Sequence, residues 1–305
     1  MNDARVSFVI PTWNRAALLS RAIASVLTQP GADSGTVEVI VVDDGSTDAT
    51  PHLMLAYALD ERVRYFRQPA NRGVATARNI AIRAATGAWI VLLDSDNSLL
   101  PDILPRLLSE LDSMPERVGI FWANCRDSTG KLTVNDDVSG VVPGVHLVEG
   151  RYAGEHFSAV RTALARKHPF AELGMRNECA ACFWFPIALE SDLYKTPVPY
   201  QHYETEGDDR VTSYQNRRHR APELVHCFEE TSARFGTLLA DRAPAFYWGL
   251  QGRIAFYRSI AGEWGGALAA AGRAARGWRS APSNLTVLVL CAAGPWATRL
   301  MLRVR

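Results

Sequence analysis

The sequence predicts an α/β protein whose mostly parallel sheet is covered by helices on both faces. Short apolar runs rich in β-branched residues recur at 6–10, 37–42 and 89–93, with a shorter one at 63–66, as strands buried on both sides require. Amphipathic stretches at 15–29, 50–58, 73–85 and 101–111 fall between or after them, so strands and helices alternate. Position adds a third observation. Pro11-Thr12, Asp43-Asp44 and Asp94-Ser95-Asp96 each stand where an apolar run stops. Ligands of such sheets bind beyond the carboxyl ends of the strands, so these clusters are expected to converge on one cleft.

Each element has a local reason. Pro11 ends the first strand, and Leu18, Leu19, Ile23, Val26 and Leu27 then recur at helical spacing until Pro30-Gly31 closes the helix. Asp43-Asp44-Gly45-Ser46 stops the second strand, with Ser46 or Thr47 placed to cap the next helix. Asn71-Arg72-Gly73 leads into the helix that carries Arg78. One more strand is expected at 118–123. Residues 124–160 read as loop, punctuated by Gly130, Gly140, Gly144 and Gly150. Beyond 237 the chain turns helical, at 246–260, 267–275 and 285–293. The last of these is apolar but shorter than the roughly 20 residues a bilayer needs, and reads as an interfacial or core-packed helix.

Composition bounds the function. Hydrophobic residues make up 48% and charged residues 21% of 305, which excludes a disordered, collagen-like or polytopic membrane chain. A formal charge of +1 supplies no field for nucleic acid. From Asp241 onward, however, nine arginines face only Asp241 and Glu263, and this basic end suggests peripheral contact with an anionic membrane. Five cysteines imply no disulfide framework, and Cys179 and Cys182 lack the second pair of a zinc site, so they are expected to pack. A strand pattern begins almost at once with no signal peptide before it, and reducing cytoplasm is the expected compartment.

Three constellations carry chemistry. Asp94 and Asp96, one residue apart at a strand end, supply the hard oxygen ligands that Mg²⁺ or Mn²⁺ takes while also holding substrate phosphates. Asp43 and Asp44 are placed to accept hydrogen bonds from a base or ribose, or to form an Asx turn. Arg78, one turn inside its helix, is placed to reach a phosphate or nucleobase. Neither a dinucleotide fingerprint nor a P-loop is present.

In order, Val9-Ile10-Pro11-Thr12-Trp13-Asn14-Arg15, Val41-Val42-Asp43-Asp44-Gly45-Ser46-Thr47-Asp48, Asn71-Arg72-Gly73 with Ala77-Arg78-Asn79, and Leu93-Asp94-Ser95-Asp96-Asn97 closely resemble the family 2 glycosyltransferases of GT-A fold. The resemblance is dense over the first 125 residues and loose over the next hundred. It implies an inverting transfer of sugar from a nucleotide diphosphate donor, a UDP-sugar favoured, with Mn²⁺ or Mg²⁺ as cofactor. The acceptor would be a hydroxyl of a glycan or lipid-linked molecule, in cell-surface polysaccharide synthesis at the inner membrane face. By position, Pro11, Thr12 and Asp44 or Asp43 would frame the base, Asp94 or Ser95 would approach the ribose, and Arg78 would lie near the nucleotide. Asp96, with Asp94, would bind the metal; Asn97 departs from the acid usual there. The family's catalytic acidic pair is best matched by Asp208-Asp209, with Asp209 as base and Glu204 and Glu206 as rivals. His226 falls where some relatives place a histidine near the metal, and 217–220 is a basic run suited to diphosphate or an anionic acceptor. The expected division is a donor-binding half at 1–125, an acceptor-binding half at 126–236 and a basic helical region at 237–305. A non-catalytic nucleotide-sugar-binding protein and, less favoured, a sugar-nucleotide pyrophosphorylase are the alternatives. The absence of a Gln-x-x-Arg-Trp run points to one sugar added per encounter.

Overall fold

The structure is a computed structural model that describes residues 5–33, 35–152, 154–176, 178–205, 219–294 and 297. It divides into two compact units, one of Met1–Leu147 with Tyr152–Thr205 and one of Val148–Arg151 with Glu206–Arg305.

The first unit is a mixed sheet. Its strands are β1 (Val6–Thr12), β2 (Val37–Asp43), β3 (Val63–Arg67), β4 (Trp89–Leu92), β5 (Ser98–Leu99), β6 (Val118–Asp127), β7 (Gly140–Val142), β8 (Phe157–Arg161) and β9 (Asp192–Tyr203). The order is β3-β2-β1-β4-β8-β6-β9-β5, with β7 also on β9. β3, β2, β1 and β4 are parallel, β8 runs against β4 and β6, and β6 is parallel to β9. The order reverses at β1, between β2 and β4, and such a switch point opens a crevice at the carboxyl ends.

Helices α1 (Ala16–Leu27), α2 (Thr50–Leu55), α3 (Val74–Ala84), α4 (Leu104–Asp112), α5 (Val145–Val148), α6 (Thr162–Lys167) and α7 (Ala180–Glu190) connect the strands. Alternation along each strand sends successive side chains to opposite faces. Phe8, Ile10, Val39, Val41, Val91 and Phe121 share one core with Leu19 and Ile23 of α1 and Leu104 and Leu107 of α4. The intervening residues face the other way, where α3 packs on β1 and β2, and α7 on β6 and β9.

Several sequence expectations shift. The first strand runs through Pro11 to Thr12. Val9 bonds to the β4 side through the Leu93 amide, and β4 pairing stops at that level, so the missing N–H of Pro11 costs no ladder bond. The helix expected at 50–58 ends at Leu55, and the one expected from 101 starts at Leu104 because Asp102 is left-handed (φ 58°). Residues 124–160, expected as loop, hold β7, α5 and most of β8. β9 was hidden by Pro197 and Pro199, and its pairing with β6 jumps register at these prolines, from Thr196 opposite Ala123 to Pro199 opposite Asn124.

The second unit contains α8 (Ala221–Arg242), α9 (Pro244–Ala261), α10 (Trp264–Ala275) and α11 (Ser283–Ala293). Ile254, Ala255, Ala267, Ala270, Ala271 and Cys291 form its core, with Phe228, Val287 and Leu288 against it. Asn284, buried, donates to the carbonyls of Trp248 (2.8 Å) and Ala274 (2.9 Å), tying three helices together. Among the described residues no helix is long and apolar enough to cross a membrane.

Candidate active site

The site grows from the carboxyl ends of β1, β2 and β4. Beyond β1, Asn14 adopts the left-handed conformation (φ 53°) and its Oδ1 accepts the Thr47 amide at 2.7 Å, while Ser46 Oγ accepts the Asn14 amide at 2.8 Å. The first two loops are thereby stitched together. Thr12, 4% exposed, leaves its hydroxyl without a partner at this edge.

Asp43 is fully buried, and both its oxygens are engaged. Oδ1 accepts the Ser46 amide (2.7 Å) and Oδ2 the Tyr65 hydroxyl (2.7 Å), which together with burial pushes the phenol well above its usual range. Asp44 closes the following loop. Its Oδ1 accepts from Gln68 Nε2 (2.6 Å) and the Arg72 amide (2.8 Å), and its Oδ2 from the Gly73 amide (2.8 Å). Burial raises the Asp44 carboxyl above its ordinary range against the pull of those two amides. Gly73 is obligatory at this closure, because its φ is 93° and a Cβ there would lie 2.0 Å from the Met175 carbonyl oxygen.

The β4 end is built differently. Leu93 N donates to Val9 O, and Asn97 N donates to Asp94 O at 3.0 Å, turning Asp94-Ser95-Asp96-Asn97 back across the edge. Asp94 Oδ1 accepts from Arg78 at 2.5 Å, and Asp96 Oδ2 from Arg15 at 2.5 Å. Arg21 of α1 donates to the Asp96 carbonyl (2.6 Å) and to Glu204 (3.0 Å), whose amide donates to Asn97 Oδ1 (3.2 Å) and whose other oxygen accepts from Ser128 (3.0 Å). Burial first, and then the charge of Asp94, raises the Asp96 carboxyl above its ordinary range, with Arg15 opposing.

Arg78 is buried, stands 5.3 Å over the ring of Phe170, and pairs with Glu178 as well as Asp94. Asn79 beside it clamps Phe170 through both its amide atoms, at 2.9 Å each, and so fixes the segment leading to α7. Glu178 immediately precedes Cys179, the residue that opens α7. Composition gave no sign of this acid, since the cysteine pair and aromatic block around it read as packing. Cys179 and Cys182 are indeed buried, with sulfurs 3.3 Å apart.

The fold thus brings Thr12, Asp43, Asp44, Arg78, Asp94, Ser95 and Asp96 to adjoining strand ends, and adds Arg15, Arg21, Glu178 and Glu204. Pro11 lies buried within β1. His226 is an exposed residue of α8 in the second unit. Asp208, Asp209, Glu206, Arg217 and Arg218 lie outside the described residues. Among the described residues no group of three potential metal-binding His, Cys, Asp or Glu side chains assembles. The donor set at Asp94 and Asp96 still fits a hard divalent ion. Two carboxylates crowd one turn, and the buried one resists ionising beside the other. An ion of the Mg²⁺ type is bound by one or two carboxylates completed by water and substrate phosphates.

The sequence model of glycosyl transferase family 2 matches residues 7–173. Over 115 residues the chain is 45% identical to the succinoglycan biosynthesis protein ExoO of Rhizobium meliloti, covering 38% of this chain and 32% of that protein. It is 28% identical over 198 residues to the GalNAc(5)-diNAcBac-PP-undecaprenol beta-1,3-glucosyltransferase of Campylobacter jejuni, 62% of each chain. The chain therefore spans about a third of the ExoO relative and less than two thirds of the Campylobacter one. Among solved structures, S. aureus TarS 1-349 superposes with a TM-score of 0.58 at 18% identity, covering 83% of this chain and 80% of that one. The mannosyltransferase PcManGT from Pyrobaculum calidifontis, in complex with GDP-Man and Mn2+, gives 0.57 at 22% identity, covering 97% and 86%. These likenesses agree with a GT-A-type α/β fold, and with its profile matched over more than half the chain, the protein belongs to glycosyl transferase family 2.

Proposed function

We propose that the protein transfers one sugar, with inversion, from a nucleotide diphosphate donor to a hydroxyl of a glycan or lipid-linked acceptor in surface polysaccharide synthesis. The observation that carries this is the Asp94–Asp96 turn at the β1/β4 switch point, held from three sides by Arg78, Arg15 and Arg21. The base and ribose would occupy the edge formed by Pro11, Thr12 and the loops closed by Asp43 and Asp44. Asp96, with Asp94, would hold Mn²⁺ or Mg²⁺, which when bound neutralises charge on the departing diphosphate. Arg15, already at Asp96, adds a fixed positive charge on the same side.

Inversion needs one base to take the acceptor proton as the oxygen attacks opposite the leaving group. Asp209 with Asp208 is the candidate set by motif. Glu178 is the carboxylate that stands within the described site, and its pairing with Arg78 favours it as the base. A UDP-sugar is the favoured donor; TarS, of like fold, has been solved in complex with UDP-GlcNAc. The undecaprenol-linked substrate in the Campylobacter relative's name supports a lipid-linked acceptor. The basic end of the chain suits peripheral contact with the inner membrane face.

The test is transfer itself. Membrane-extracted lipid-linked glycans are incubated with radiolabelled UDP-, GDP- and dTDP-sugars, with Mn²⁺ or with chelator. Metal-dependent labelling from one donor supports the reading. Donor binding without transfer to any acceptor would favour the binding-protein alternative.

A further inference from the structure

One polar cluster of the first unit is left unused by this account, and it lies on the face that carries Asp94. Register places Leu92 opposite Ser158, Ser158 opposite Trp122, and Trp122 opposite Lys195. Residues opposite one another share a face, and Asp94 follows Leu92 by two, so Trp122 and Lys195 project to the Asp94 side. Trp122 is two strands from β4, about 10 Å across the sheet.

The His156 ring stacks on Trp122 with centroids 4.4 Å apart, and the edge of Trp184 closes the group at 6.0 Å. Lys195, almost fully buried, pairs with Asp136 at 2.5 Å and lies 4.2 Å from the ring centre of Tyr152. These fixed contacts leave two atoms unmet: Trp122 Nε1 and His156 Nε2 are both buried without a hydrogen-bond partner. Trp122 is only 8% exposed, so an orphaned N–H there is costly. Burial, and then the nearby Lys195 charge, holds the imidazole down to about 4, so the ring is neutral at physiological pH. Its bond to the Gly154 backbone uses the other nitrogen. Nε2 is therefore an acceptor and Nε1 of Trp122 a donor. A hydroxyl is the smallest group that satisfies both at once, and aromatic walls suit the apolar face of a sugar ring.

We propose that Trp122 and His156 form a subsite that recognises one hydroxyl of a pyranose ring, on the acceptor side of the transfer site. This rests on the transferase reading. Rings link the subsite to the donor side: Arg78 stands over Phe170, Phe170 stacks on Phe183 at 3.8 Å, and Phe183 meets Trp184 at 4.8 Å.

The test uses the full chain and saturation-transfer NMR with methyl glycosides of glucose, galactose, mannose and N-acetylglucosamine. At least one should bind with a millimolar constant. Trp122→Phe, which keeps the ring and removes the N–H, should weaken it about tenfold, as should His156→Phe. A deoxy analogue lacking the recognised hydroxyl should bind the wild type and Trp122→Phe equally. Nucleotide affinity should be unchanged in both variants, which also shows that they fold. If no glycoside binds, or Trp122→Phe binds it as well as the wild type, a buried water fills the site and the inference is wrong. Failure of nucleotide binding in the wild type would instead remove the transferase reading on which it stands.

Discussion

Two pairs of aspartates end two neighbouring parallel strands, and they have opposite fates. Asp43 and Asp44 spend their oxygens on their own surroundings: a serine amide, a tyrosine hydroxyl, a glutamine and two amides at the mouth of α3. Asp94 and Asp96 are held by single bonds from arginines of other helices, and their side chains remain 48% and 26% exposed against 0% for Asp43. The lesson is that residue type and strand-end position do not separate a structural carboxylate from a ligand. The count of hydrogen bonds already made does. The first pair shapes the cleft, and the second has capacity left for something charged.

Substitutions break this contrast in graded ways. Asp96→Asn should have the largest effect on function, lowering transfer about 10³-fold, as read by product formation at saturating donor. The same change should leave the folded protein at least as stable at pH 7. Burial and Asp94 raise the Asp96 pKa in the folded state, so ionisation costs stability as pH rises through its unfolded value, and asparagine removes that cost. Thermal melts between pH 4 and 8 check this: the variant's advantage should grow with pH, and a loss at pH 7 would show Arg15 to be the dominant partner.

Asp44→Ala should do the reverse. It leaves the amides of Arg72 and Gly73 without their acceptor and should cost about 3 kcal/mol in urea unfolding of the first unit. Activity lost here should track unfolding. An Asp44→Ala protein of wild-type stability would move Asp44 into the ligand class.

Glu178→Gln sharpens the chemistry. With Glu178 as base, turnover should fall about 10²-fold or more with donor affinity retained, while Asp209→Asn should leave much of the rate. The opposite ranking would return the role to Asp209.

The smallest effect belongs to a third acid, Asp48, which caps rather than binds. Burial opposes its charge, but hydrogen bonds from Thr50 and Ala16 outweigh it and hold the carboxyl below its ordinary range. Asp48→Ala should cost about 1 kcal/mol at pH 7. That difference should shrink as pH falls through the depressed folded value, where the wild type loses the same stabilisation.

Much of the donor half was legible in the sequence. β1, β2, β4 and α3 are strongly patterned, and each site loop follows a strand whose end is marked by proline, glycine or acid. The other half was not. Two prolines in β9 suppress the strand signal because they cost ladder bonds locally, yet an edge of irregular register tolerates them. Glu178 is a single acid in an apolar context, and only the packing of Asn79 on Phe170 brings its segment to Arg78. The lone tryptophan and histidine of β6 and the segment before β8 meet through register alone. No local pattern encodes a partner 34 residues away.

The central claim is that Asp94 and Asp96 hold a divalent ion that in turn holds the donor's diphosphate. Calorimetric titration of UDP, GDP and dTDP, with and without Mn²⁺, into the wild type and Asp96→Asn tests it most directly. The account predicts micromolar binding of one nucleotide that requires Mn²⁺ and is lost in the variant. Equal binding without metal, or unchanged binding in Asp96→Asn, would contradict it and leave the Asp94–Asp96 turn as structural as the pair beside it.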